Sequence, residues 1–91
     1  MAVTGGSTRR KWRSRARGSR ALAGSLARLG ARIRELRVQG GLTQEQVAEL
    51  ARLDAKHMQA IEMGRENVTM ATLVAISKAL GVKLADLFSG V

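Results

Sequence analysis

The chain contains no cysteine, which removes both a disulfide framework and a thiolate zinc site and leaves nothing that requires an oxidising compartment. Aromatic residues are almost missing too, with one tryptophan, one phenylalanine and no tyrosine. A core must therefore be built from Leu, Ile, Val and Ala packed between helices. No apolar run approaches the length of a membrane span, and no segment alternates as a strand does. Arg9-Arg10 is followed by basic rather than apolar residues, so no export signal follows it and a cytoplasmic location is expected. The single histidine, His57, has no second histidine or cysteine to complete a metal site. Without a nucleophile and base set or a phosphate-binding glycine loop, no catalytic residue, metal or cofactor is expected.

Acidic residues are absent from one end. From Arg9 to Arg20 the cations Arg9, Arg10, Lys11, Arg13, Arg15, Arg17 and Arg20 stand without an acid, whereas the other nine cations face all seven acids. The formal net charge of +9 is thus concentrated in this segment. With Gly5, Gly6, Gly18 and several Ser and Thr among the charges, it has too little apolar surface to fold alone. Residues 1–21 are expected to be a disordered basic arm and residues 22–91 a single domain. The arm suits phosphates or a minor groove, favouring affinity over specificity. It equally suits nonspecific attraction and solubility, and Trp12 is its one aromatic able to stack or wedge.

The remainder reads as helices. Leu26, Leu29, Ile33 and Leu36 recur at spacings of three and four, giving a first helix from about 22 to 38 that ends at Gly40-Gly41. Arg32, Arg34 and Arg37 fall on its other faces. Thr43 and Gln46 form a capping box for a second helix, with Leu42 and Val47 as its hydrophobic staple. Asp54 is placed to cap a third, with Leu53 and Met58 as staple and Gly64 as stop. These two helices stand three residues apart, the grammar of a helix-turn-helix. Val47, Leu50, Met58 and Ile61 are expected inward, while Ala48 and Ala51 let the helices approach. Thr69 caps a fourth helix to Leu80, with Leu73, Ile76 and Leu80 inward and Gly81 as stop; Val82, Leu84, Leu87 and Phe88 close the fold in a short fifth. The expected architecture is all-α, a compact five-helix bundle containing a helix-turn-helix and preceded by a basic arm.

In their order and spacing, IRELR (33–37), GLTQEQVAELA (41–51), HMQAIEMG (57–64) and TLVAISKALGVKLADLF (72–88) resemble the phage repressor and Cro-type, or Xre-like, DNA-binding family. The resemblance runs from about Leu26 to Leu87. It implies a repressor-like fold whose third helix enters the major groove of double-stranded DNA, with Ala55, Lys56 and Ala60 facing bases and His57 and Gln59 flanking them. Gln44 is similar to the family's phosphate-contacting glutamine, and Arg65, Asn67 and Thr69 are the next phosphate candidates. The resemblance also implies a structural ion pair between Arg37 and Glu62. The chain departs from the family's pattern at Arg52, where glycine is commonest, and at Met63, often arginine or asparagine. Left-handed backbone at Arg52 carries a penalty of about 1 kcal/mol.

The resulting expectation is a sequence-specific, double-stranded DNA-binding transcriptional regulator. It is a repressor or autoregulator that binds a palindromic operator as a homodimer. Val82, Leu84, Phe88 and Val91 are the expected self-contact. Stand-alone chains of this kind include restriction-modification controllers, antitoxins, and phage or plasmid regulators. Two alternatives remain at this stage. One is an antitoxin or adaptor whose main partner is a toxin or the transcription machinery; the other is a nonspecific nucleic-acid binder driven by the arm.

Overall fold

A computed structural model describes residues 20–91 as four α-helices and a closing 3₁₀ helix, with no strand among the described residues. They are α1 (Arg20–Gln39), α2 (Gln44–Ala51), α3 (Ala55–Glu62), α4 (Met70–Leu80) and the 3₁₀ segment Leu84–Phe88. The arm cations Arg9 to Arg17 and Trp12 lie outside the described residues. Arg20 and Ala21, within the expected arm, lie in α1.

The expected fifth α-helix is a 3₁₀ helix because only five residues separate Lys83 from Ser89. So short a segment closes its turns with i→i+3 bonds, Asp86 N–H to the Lys83 carbonyl and Ser89 N–H to that of Asp86. The Asp86 carboxylate accepts from the Lys83 N–H at 2.9 Å. Its carbonyl accepts from Arg32 Nε at 2.8 Å, fastening the segment to α1. Arg32 also pairs with Glu35, so this arginine is a tie between elements rather than a solvated charge on a free face.

The core is aliphatic, as a chain with scarcely any aromatics requires. Leu29 and Ile33 from α1 meet Val47, Ala48 and Ala51 from α2, Met58 and Ile61 from α3, Leu73 and Ile76 from α4, and Leu87 from the 3₁₀ turn. α1 packs on α3 and the 3₁₀ helix, while α2 packs on α3 and α4. Leu50 is not part of this core; it is 61% exposed. At about 100° per residue, the face shared by Val47, Ala48 and Ala51 points roughly a quarter-turn or more away from Leu50. The small alanines, not the leucine, occupy the contact.

Each of the four described α-helices ends in the same paired hydrogen-bond motif, with a left-handed residue just past its end. Gly41, Gly64 and Gly81 supply that conformation after α1, α3 and α4, whereas Arg52 adopts it after α2 at φ 59°. Its N–H bonds the Glu49 carbonyl, and the following Leu53 N–H bonds that of Ala48. The bend between α2 and α3 is thus held by two backbone bonds in spite of an unfavourable residue. α3 itself stops at Glu62, with Gly64 two residues beyond.

Candidate nucleic-acid interface

α2 and α3, of eight residues each, are too short to persist alone. Their geometry comes from caps and burial. Thr43 Oγ1 accepts from the Gln46 N–H at 3.0 Å, and Gln46 Oε1 accepts from the Thr43 N–H at 2.8 Å. Asp54 occupies the N-cap of α3 with extended backbone, but its side chain makes no capping bond, contrary to the sequence expectation. α3 is anchored instead by burial of Met58 and Ile61 and by Glu62.

Anchoring one side of α3 determines what the other presents. Lys56, Gln59 and Met63 are exposed at helical spacing, with Ala55 beside Lys56. His57 and Ala60 are half-buried at the margins of that stripe. The expected base-facing residues thus divide into a fully presented set, Ala55, Lys56 and Gln59, and two flanking positions.

Glu62 is the one strongly buried charge of the site. Arg37 donates from Nε to its Oε2 at 2.6 Å and from Nη2 to its Oε1 at 3.0 Å, a two-pronged pair. The third guanidinium nitrogen, Nη1, donates to the Leu42 carbonyl at 2.9 Å, in the connection from α1 to α2. The hydrogen bond to Glu62 raises the Arg37 pKa above its ordinary value, with burial opposing it. Gln44, the first residue of α2, donates from Nε2 to Glu62 Oε1 at 3.0 Å. One carboxylate therefore holds the end of α1, the start of α2 and the end of α3 together.

The remaining candidates lie after α3. Arg65, Asn67 and Thr69 are exposed along the loop to α4. The Thr69 hydroxyl is engaged as the α4 cap, accepting from the Thr72 N–H and donating to Thr72 Oγ1. In the closing 3₁₀ helix Phe88 is 41% exposed. Val82, Leu84 and Val91, expected beside it as a self-contact, pack partly against the core.

Sequence reasoning missed three features. Gly30, inside α1, lies so close to α3 that a Cβ there would meet the Ile61 carbonyl oxygen at 2.4 Å. A glycine inside a helical pattern was the available signal. The Gln44–Glu62 bond joins residues 18 apart and carried no local signal. The third is an open groove of about 510 Å³ on α1, lined by Ala31, Arg34, Glu35, Val38, Gln39 and Glu62.

The profile of a helix-turn-helix domain family matches residues 28–88. The immunity repressor protein of Bacillus phage phi105 is 39% identical over 57 residues, covering 63% of this chain and 40% of that protein. Control protein C.MunI of a Mycoplasma species is 37% identical over 65 residues, 70% of this chain and 88% of that protein. The crystal structure of the restriction-modification controller protein C.AhdI from Aeromonas hydrophila superimposes with a TM-score of 0.71 at 35% identity, covering 71% of this chain and 98% of that one. The chain spans less than half the length of the longer curated relatives it matches. Two short helices locked at a rigid bend, an exposed stripe on the second and these relatives lead to one conclusion: the chain belongs to the helix-turn-helix family of phage repressor and Cro type.

Proposed function

We propose that this protein is a sequence-specific double-stranded DNA-binding transcriptional regulator that acts in the cytoplasm as a homodimeric repressor or autoregulator on a palindromic operator. The observation that carries the reading is the exposed stripe of α3 beside the capped start of α2. In this docking mode the second helix of the motif reads base edges in the major groove while the first approaches the backbone. Lys56 donates to guanine O6 and N7, Ala55 and Ala60 pack against thymine methyl groups, and Gln59 reaches an adenine edge, with His57 at the margin. Gln44, Arg65, Asn67 and Thr69 grip phosphates on either side and set the register. The basic segment from Arg9 to Arg20 adds charge, hence affinity and salt dependence.

Two copies supply the interface that one small domain lacks, with Phe88 as the exposed apolar anchor of the self-contact. The aligned region makes up 88% of a control protein and 98% of a solved restriction-modification controller, which favours a regulator of controller type.

Selection from a random duplex pool at about 150 mM salt tests the proposal. An enriched motif with twofold symmetry is expected. Binding without any enriched motif would leave a charge-driven nucleic-acid binder, and no binding would leave a protein-interaction module.

A further inference from the structure

We infer that Glu62 is a positioning residue for Gln44: it sets the orientation of the Gln44 amide at the start of α2 and ties that phosphate-gripping group to the helix that reads bases. The inference rests on the DNA-binding function proposed above.

The geometry carries three steps. A carboxylate only accepts hydrogen bonds, so the bond from Gln44 to Glu62 Oε1 places the amide nitrogen inward and fixes which way the amide lies. One N–H of the amide is used in that bond and the other is left for an outside acceptor. At the surface the same side chain would sample many rotamers and lose that freedom on binding. Held by Glu62, whose side chain is 2% exposed, it is oriented in advance.

Charge raises an objection that Arg37 answers. A buried carboxylate behind a phosphate-contacting group would repel the phosphate. Arg37 neutralises it through two hydrogen bonds, so Glu62 serves as an acceptor without presenting net negative charge. Arg37 also holds the Leu42 carbonyl, one residue before the α2 cap. The pair therefore fixes both the entry of the chain into α2 and the amide of its first residue.

Because Glu62 is the last residue of α3, the distance from the Gln44 amide to the exposed stripe of α3 is set through a single side chain. Phosphate grip and base reading are thereby kept in register.

The first test needs neither a variant nor DNA. In the free 91-residue chain, ¹⁵N relaxation of the Gln44 side-chain amide should report an order parameter near that of rigid backbone, about 0.85, while exposed Gln59 should fall below about 0.6. Equal mobility of the two amides would overturn the inference and leave the proposed function untouched. The second test is a double-mutant cycle of Gln44→Ala and Glu62→Gln, read as affinity for the selected duplex at a temperature where circular dichroism shows every variant folded. Each single change should weaken binding about tenfold, and the double variant should bind no worse than either. Independent losses that multiply toward a hundredfold would overturn the inference. Failure of the wild-type chain to select any duplex would instead count against the proposed function itself.

Discussion

A methyl group placed on Gly30 would stand 2.4 Å from the carbonyl oxygen of Ile61 and 2.6 Å from that of Glu62. The middle of α1 thus lies directly against the backbone of the last turn of α3, with no side chain between them. Gly30→Ala should destabilise the domain by about 1–3 kcal/mol, as overpacking does, although alanine is the better helix former. Gly24→Ala in the same helix meets only the flexible end of Arg28, and should be neutral or stabilising by up to about 1 kcal/mol. Urea unfolding of both variants checks the pair; equal effects would mean that the contact between α1 and α3 is not tight.

Arg52 is the one non-glycine residue with positive φ among the described residues. Arg52→Gly should relieve left-handed strain of about 1 kcal/mol, less the larger entropy glycine brings to the unfolded chain. A rise in Tm of a few degrees is expected for a domain of this size. A fall would show that the arginine side chain makes compensating contacts.

The Arg37–Glu62 pair predicts an asymmetry. Arg37→Ala and Glu62→Ala should each cost about 3–5 kcal/mol, because each leaves the other charge buried without a partner. Replacing both, as Arg37→Met with Glu62→Leu, should cost less than either alone. Thermal melts of the four proteins decide this, and single variants that melt with the wild type would remove the pair from the structural account.

Lys56 is exposed and makes no contribution to the core. Lys56→Ala should leave stability within about 0.5 kcal/mol of the wild type. It should flatten base preference at one position of each half-site by about 1–3 kcal/mol. Repeating the duplex selection with this variant measures the change; an unaltered motif would take Lys56 out of the reading surface.

The basic segment makes a separate prediction. Changing Arg9, Arg10, Lys11, Arg13, Arg15 and Arg17 to Gln should weaken binding while preserving the selected motif. The slope of log affinity against log salt should become shallower by about 0.9 for each phosphate that the segment neutralises. Loss of the motif together with the affinity would move specificity into the arm.

What could be read from the sequence was local. Thr43 with Gln46 and Thr69 with Thr72 close their bonds within one turn, so three or four consecutive residues carried the information. The inward positions of α1 and α4 were legible because each repeats its apolar residues over several turns. α2 has only two turns, so the i, i+3 spacing that points Leu50 inward with Val47 competes with the face of Ala48 and Ala51, which makes the contact. The winning face is set by how near α4 and α3 must come, a property of partners far along the chain. Asp54 was expected to cap because of its residue type, whereas the cap bond depends on a rotamer the sequence does not contain. Arg37 and Glu62 were paired through family resemblance. Gln44 joining them depended on the closed fold, since nothing within its own helix points to α3.

The division of α3 into a buried and an exposed side bears on how such a protein changes its target. Met58, Ile61 and Glu62 hold the helix, while Ala55, Lys56 and Gln59 contribute little to its retention. Substitutions at those three outward positions leave the scaffold standing, so, under the proposed function, new DNA preferences are reachable one residue at a time through folded intermediates. The same scaffold is therefore a natural starting point for reprogramming by selection, provided that Glu62 and the helices it joins are left alone.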